Sequence, residues 1–228
     1  MSASKTSIQN MLDKSIWARS LNPDQLARVE AELVQRTVPP GAYVVRKGEP
    51  VEHWIGVDEG LLKMSSVSPA GKTVTFTGLL AGGWFGEGSL LKTDPFKYDV
   101  VALRESRVGF MPRATFQWLL DNSISFNHFL LRQLNERLAF FISVVEYDRM
   151  LQPDARVACC LAALFNPYLN PASGRELQIS QEEIGYLCGT SRQRANQALQ
   201  VLEKAGLLKV DYGGITILDL DGLRQFHA

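Results

Sequence analysis

The apolar positions of this chain change period twice. Near the start, Asn22-Pro23-Asp24 reads as a helix opening. The asparagine can cap an early amide, and proline suits the first helical position because no partner awaits its missing N–H. Leu26, Val29 and Leu33 follow at helical spacing, and Pro39-Pro40-Gly41 ends the element. From about Thr37 to Met111 the runs become short and β-rich: Tyr43-Val44-Val45, Trp54-Ile55-Gly56-Val57, Leu61 to Ser65, Thr73 to Phe76, Val100 to Ala102 and Arg107 to Phe110. Turn glycines separate them at Gly41, Gly48, Gly60, Gly71 and Gly82-Gly83. This texture predicts an antiparallel sandwich or barrel.

After Pro112 the helical period returns. A short amphipathic helix is expected from Arg113 to Leu120, then a break at Asp121-Asn122-Ser123, then a long helix to about Met150. Leu131, Leu134, Leu138, Phe141 and Val145 form an a/d stripe on it. Such a stripe also serves a helix packed within its own domain. Its length and single clean face favour a seam between two copies. Pro153 breaks the helix. An apolar helix to Phe165, a loop over 166–175 and a short strand at Leu177-Gln178-Ile179 follow.

The segment from Ser180 to Gly206 carries the chemistry. Ser180-Gln181-Glu182-Glu183 is a capping box, Gly189 supplies a left-handed turn, and Ser191 caps a second helix. Ala195, Ala198, Leu199 and Leu202 are its buried stripe. Arg192, Gln193, Asn196 and Gln200 fall opposite, flanked by Arg194 and Gln197. Two helices joined by a glycine turn, the second exposing Arg, Gln and Asn, make a helix-turn-helix. Arginine can grip guanine O6 and N7, and an amide can grip adenine N6 and N7. Leu207 to Val210 and Ile215 to Leu218 then flank Asp211-Tyr212-Gly213-Gly214 as a hairpin wing, with Ser180 and Tyr212 placed to touch phosphate. Bulk charge adds nothing to this: 24 Lys/Arg balance 24 Asp/Glu over 228 residues. DNA binding must rest on the local site.

Composition removes other classes. The first twenty residues hold no apolar export segment, and the longest apolar run, Val157 to Phe165, is too short to span a bilayer. A cytoplasmic protein with no membrane partner is expected. Cys159, Cys160 and Cys188 lack the number and spacing for a disulfide framework, a zinc site or an iron–sulfur cluster. No nucleophile elbow, P-loop or H-E-x-x-H occurs, so no catalytic residue is assigned and no enzyme is expected.

On these residues the chain resembles the cyclic-AMP receptor protein and fumarate-nitrate reduction regulator (CRP/FNR) superfamily over nearly its whole length. Ile179 to Gly185 and Thr190 to Gln193 are similar to that family's DNA-binding signature. Pro40-Gly41, Gly48, Gly60 and Phe85 to Leu90 are similar to its cyclic-nucleotide-binding β-roll. The resemblance implies an α+β chain: an N-terminal helix plus β-roll sensor at 1–113, a double-stranded jelly roll; a dimerisation helix at 114–152; and a winged helix-turn-helix at 153–228. It implies double-stranded DNA, a second copy and RNA polymerase as partners. It also gives Arg192 the role of guanine reader. Gln193 stands where many members carry glutamate, and Gln197 where one carries arginine.

For an effector, the resemblance points to Gly86, Glu87, Gly88, Ser89, Lys97, Tyr98, Phe141 and Ile142. Lys97-Tyr98 fall where the family places the Arg-Ser pair that grips a cyclic phosphate, and Phe141-Ile142 where it places hydroxyls that meet adenine. Cyclic AMP is therefore not the expected ligand. Haem would need His53, His128 or His227, and single histidines are usually structural. A small, partly aromatic or acidic metabolite remains open. So do a constitutive DNA-binding dimer with a degenerate sensor, and a cyclic-nucleotide-binding regulatory subunit.

Overall fold

The computed structural model of the chain describes residues 2–71, 73–150, 152–172 and 174–226. It opens on helix α1 (Ser2–Lys14), which the pattern reading above left unassigned. The signal was short: Ile8, Met11 and Leu12, all buried, recur at helical spacing among polar residues. The Met11 side chain lies over two sheet glycines. A Cβ on Gly56 would stand 2.5 Å from its Cε, and one on Gly109 2.6 Å from its Sδ. A side chain at Gly56 would also meet the Trp84 ring, and one at Gly109 would push the end of the Met11 side chain aside.

Helix α2 (Pro23–Glu32) starts at the expected Asn22 cap, with Gln25 and Asn22 exchanging hydrogen bonds of 2.9 and 3.0 Å. It stops at Glu32, earlier than the prolines suggest. The β-branched Val34, Thr37 and Val38 instead form β1 (Val34–Val38), paired antiparallel with β8 (Ser106–Pro112).

Between them lie β2 (Tyr43–Val45), β3 (His53–Glu59), β4 (Leu62–Val67), β5 (Thr73–Leu79), β6 (Trp84–Phe85), the short helix α3 (Glu87–Lys92) and β7 (Asp99–Ala102). Two four-stranded antiparallel sheets result, ordered β1-β8-β3-β6 and β2-β7-β4-β5. Trp17 anchors the core, its ring centre 5.1 Å from both Trp54 and Trp84. Phe116 of α4 (Arg113–Asn122) and Phe126 of α5 (Ile124–Met150) close the cluster, which fixes the long helix to the sheets.

The C-terminal unit comprises α6 (Pro153–Ala163), β9 (Glu176–Gln178), α7 (Gln181–Leu187), α8 (Arg192–Lys204), β10 (Leu208–Asp211), β11 (Gly214–Ile217) and α9 (Leu220–Arg224). Its three strands run in the order β10-β11-β9. Leu161, Ile184, Ala195, Leu199 and Leu202 fill its core, and Leu61 and Leu80 of the β-roll enter that core as well. The contact between units is specific. Arg104 meets Glu183 through two bonds of 3.0 and 2.9 Å, the Thr75 hydroxyl donates to the Tyr186 carbonyl at 2.6 Å, and Asn170 Oδ1 accepts from Leu80 N at 2.9 Å. Strand β5 is the sheet edge on this side, and its Gly78 lies against Leu164 and Leu187.

Candidate DNA interface and effector cavity

The local sequence dictates the helix-turn-helix geometry. The Ser180 hydroxyl accepts from Glu183 N at 3.2 Å, and the Glu183 carboxylate accepts from Ser180 N at 2.7 Å. Gly189 takes φ +63°, a value that costs a glycine nothing. Ser191 Oγ accepts from Arg194 N at 3.2 Å and starts α8. A Cβ on Gly185 would sit 3.0 Å from the Thr190 carbonyl, so a side chain there would force the turn apart.

Arg192, Gln193 and Gln197 are exposed on α8, with Ala195, Ala198, Leu199 and Leu202 buried behind them. Ser180, Arg192 and Tyr212 line a single groove of about 410 Å³ between α7, α8 and the wing. Tyr212 stands fully exposed at the wing tip, beside Gly213 at φ +78°. A hydrogen bond from Lys209 holds the Asp211 carboxyl at the base of the wing below its ordinary range, and Thr216 adds a second bond. Two expected contacts differ in place. Arg194 turns back to Asp154 of α6, 2.8 Å away, and braces the domain. Asn196 accepts from Gln181 Nε2 at 2.9 Å. Gln181 was not among the expected site residues, since nothing in linear spacing shows that the first turn of α7 faces the second turn of α8.

In the β-roll, Glu87, Gly88, Ser89, Lys97, Tyr98 and Phe141 do share a cavity, of about 420 Å³. Its polar groups are largely satisfied from within. The buried Glu87 carboxylate accepts from Arg137 Nε at 2.7 Å and from Trp54 Nε1 at 3.4 Å, and Arg137 also donates to the Trp84 carbonyl. Burial, then the Glu87 charge, push the Tyr98 phenol well above its ordinary value, with Arg137 and the Gly86 backbone opposing. Lys97 is exposed and pairs with Asp94 at 3.5 Å. Arg137 is the residue that sequence reasoning missed here; it sits one turn before Phe141, and its charge inside an apolar stripe was the available signal.

Two expected effector residues, Gly86 and Ile142, lie outside the lining of this cavity. Ile142 is 60% exposed and does not line the cavity. Successive helix residues point about 100° apart, so Phe141 faces the sheet, where it meets Phe76, while Ile142 faces out. The expected a/d stripe divides between two faces for the same reason. Leu131, Leu138, Ile142 and Val145 are the exposed apolar residues, whereas Leu134 and Phe141 line the cavity.

The remaining candidates have structural settings. His53 packs edge-on against Phe110, and burial followed by Arg36 lowers its pKa from 6.5, with Glu52 opposing. His227 lies outside the described residues. A hydrogen bond to Cys160, with burial, pushes the Cys188 thiol up. Among the described residues no group of three His, Cys, Asp or Glu side chains could hold a metal ion, and no helix is long and apolar enough to cross a membrane.

Comparison with known proteins agrees with both halves. Residues 35–123 match the cyclic nucleotide-binding domain, and residues 155–226 match the Crp-like helix-turn-helix domain. The chain is 28% identical to the transcriptional regulator LdrP of Thermus thermophilus, over 78% of this chain and 89% of that one. It is 26% identical to a CRP-like cAMP-activated global transcriptional regulator of Mycobacterium tuberculosis, over 91% and 94%. The fold is similar to that of FixK2 from Bradyrhizobium japonicum, with a TM-score of 0.70, 18% identity and coverage of 86% and 98%.

Proposed function

Because the chain belongs to the CRP/FNR superfamily of transcription regulators, with a cyclic-nucleotide-binding domain and a Crp-like helix-turn-helix, we propose that it acts in the cytoplasm as a homodimer. Each copy sets α8 into one half of an inverted-repeat site. The observation that carries this reading is the shared groove. Ser180, Arg192 and Tyr212 converge from α7, α8 and the wing, on a face that also exposes Gln193. Arg192 then reads guanine, Gln193 suits adenine, and Ser180 and Tyr212 hold phosphate. The exposed stripe on α5 supplies the two-fold axis, which spaces the recognition helices about one DNA turn, roughly 34 Å, apart. The units work as sensor (1–113), dimerisation helix (114–152) and reader (153–228). RNA polymerase is the downstream partner, and no step requires enzyme chemistry.

Selection of bound duplexes from a random pool tests the reading. An inverted repeat should emerge, and Arg192→Ala should relax one base position at a cost of about 1–3 kcal/mol. Unchanged affinity and preference in that variant would remove α8 from the role.

The sensor is controlled by something other than cyclic AMP. Tyr98 lines the cavity where a cyclic phosphate would need a small hydroxyl, and Arg137 already holds the carboxylate a ribose would need. The same self-satisfaction favours a second reading, a DNA-binding dimer without an effector. A thermal-shift screen of nucleotides, haem and small aromatic or acidic metabolites separates the two.

A further inference from the structure

We propose that α8 reads acceptors: Asn196 and Gln197 offer the major groove amide N–H donors, because other side chains already hold their carbonyl oxygens. The inference rests on α8 being the recognition helix. Gln181 Nε2 donates to Asn196 Oδ1 at 2.9 Å, and both residues are half-buried. Asn196 lies one turn beyond Arg192 on the same face. Arg194 Nη1 donates to Gln197 Oε1 at 3.2 Å, while Asp154 anchors the same guanidinium at 2.8 Å. A guanidinium has no acceptor, so the orientation of the Gln197 amide is forced.

An amide pairs bidentately with adenine only when it accepts from N6 and donates to N7 together. Engaging one of the oxygen's two lone pairs fixes where the carbonyl points and disfavours that fork. The NH2 that remains matches guanine best, with acceptors at N7 and O6, since adenine and thymine each present only one. Arg192, itself donor-only, points the same way. The half-site is therefore selected for acceptor-rich edges, and Gln181, one helix away, sets the polarity at the position Asn196 meets.

The test is selection from a random duplex pool by the full-length protein and by Gln181→Ala, Gln181→Glu and Arg192→Ala. The unaltered protein should select guanine over adenine at the pairs touched by Asn196 and Gln197. Gln181→Ala frees the Asn196 oxygen and should enrich adenine at one pair roughly tenfold. In Gln181→Glu the carboxylate can only accept, so it takes the Asn196 NH2 and turns the oxygen outward. That pair should move toward cytosine, whose N4 donates. If both Gln181 variants bind every sequence less well but keep the original preference, Gln181 is a scaffold residue and the proposal is overturned. Arg192→Ala keeps the two readings apart. Loss of selectivity in that variant alone sinks only the polarity assignment, and no change in any variant sinks the recognition helix with it.

Discussion

Arg104 and Glu183 tie the β-roll to the first reading helix through a two-bond guanidinium–carboxylate pair, and Glu183 simultaneously closes the Ser180 cap. One carboxylate thus holds both the start of α7 and its position on the sensor. Arg104→Ala should cost about 1 kcal/mol, because the pair is only partly shielded from water. Amide exchange in α7 should accelerate while the isolated helix start stays intact. Glu183→Ala should cost about 1 kcal/mol more through the lost cap. Equal effects of the two substitutions in urea denaturation would show that the cap contributes nothing, and no effect of Arg104→Ala would show the same of the interdomain bond.

Assembly depends on the outward stripe. Changing Leu138 and Ile142 together to glutamate places charge on the exposed face of α5 and should give monomers with an intact β-roll. Light scattering at micromolar concentration is the measurement. Dimers of unchanged mass would move the two-fold axis elsewhere.

Cyclic AMP should bind weakly if at all. Lys97 replaces a bidentate fork with a point charge, and Tyr98 fills the cradle with its ring. Exchanging both residues, Lys97→Arg with Tyr98→Ser, supplies a fork and a small hydroxyl at the cavity and should gain affinity at least tenfold. Isothermal titration decides. Micromolar binding by the unaltered chain would contradict the account of the cavity.

His53 gives stability an acid-side dependence. Its folded pKa lies below 6.5, so on acidification the unfolded chain takes the proton first. The contribution is complete above pH 6.5 and is lost as the pH falls below it. The group is half-buried, so the effect is small. Between pH 7 and 5 the urea midpoint of the native protein should fall more than that of His53→Gln. Parallel curves would assign the loss to other groups.

The sequence showed most of the frame because its signals are local. The Asn22 and Ser180 caps, the glycine turns and the alternating runs each act within a few residues, and the structure has elements at those places. What it hid depends on contacts distant in sequence. Helix α1 exists because Met11 fits over Gly56 and Gly109, almost 50 and 100 residues away. The stripe on α5 holds five residues at ideal spacing, yet which of them face the sheet follows from Phe76 and Glu87 on other elements. Arg194 flanks the exposed face of α8 in the sequence, and only the fold shows that it also meets Asp154. Short-range chemistry is written in the chain, and choice of partner is made in three dimensions.

Strand β5 ends its sheet, so its outer side lacks a neighbouring strand to satisfy it. The reading head is what sits there: Gly78 is buried under Leu164 and Leu187, and Thr75 reaches the Tyr186 carbonyl. A sensor cut away after residue 152 would bare that border, and an open border invites other chains to add to it. The C-terminal unit therefore also shields the β-roll against clumping, and separating the two for study should put solubility at risk.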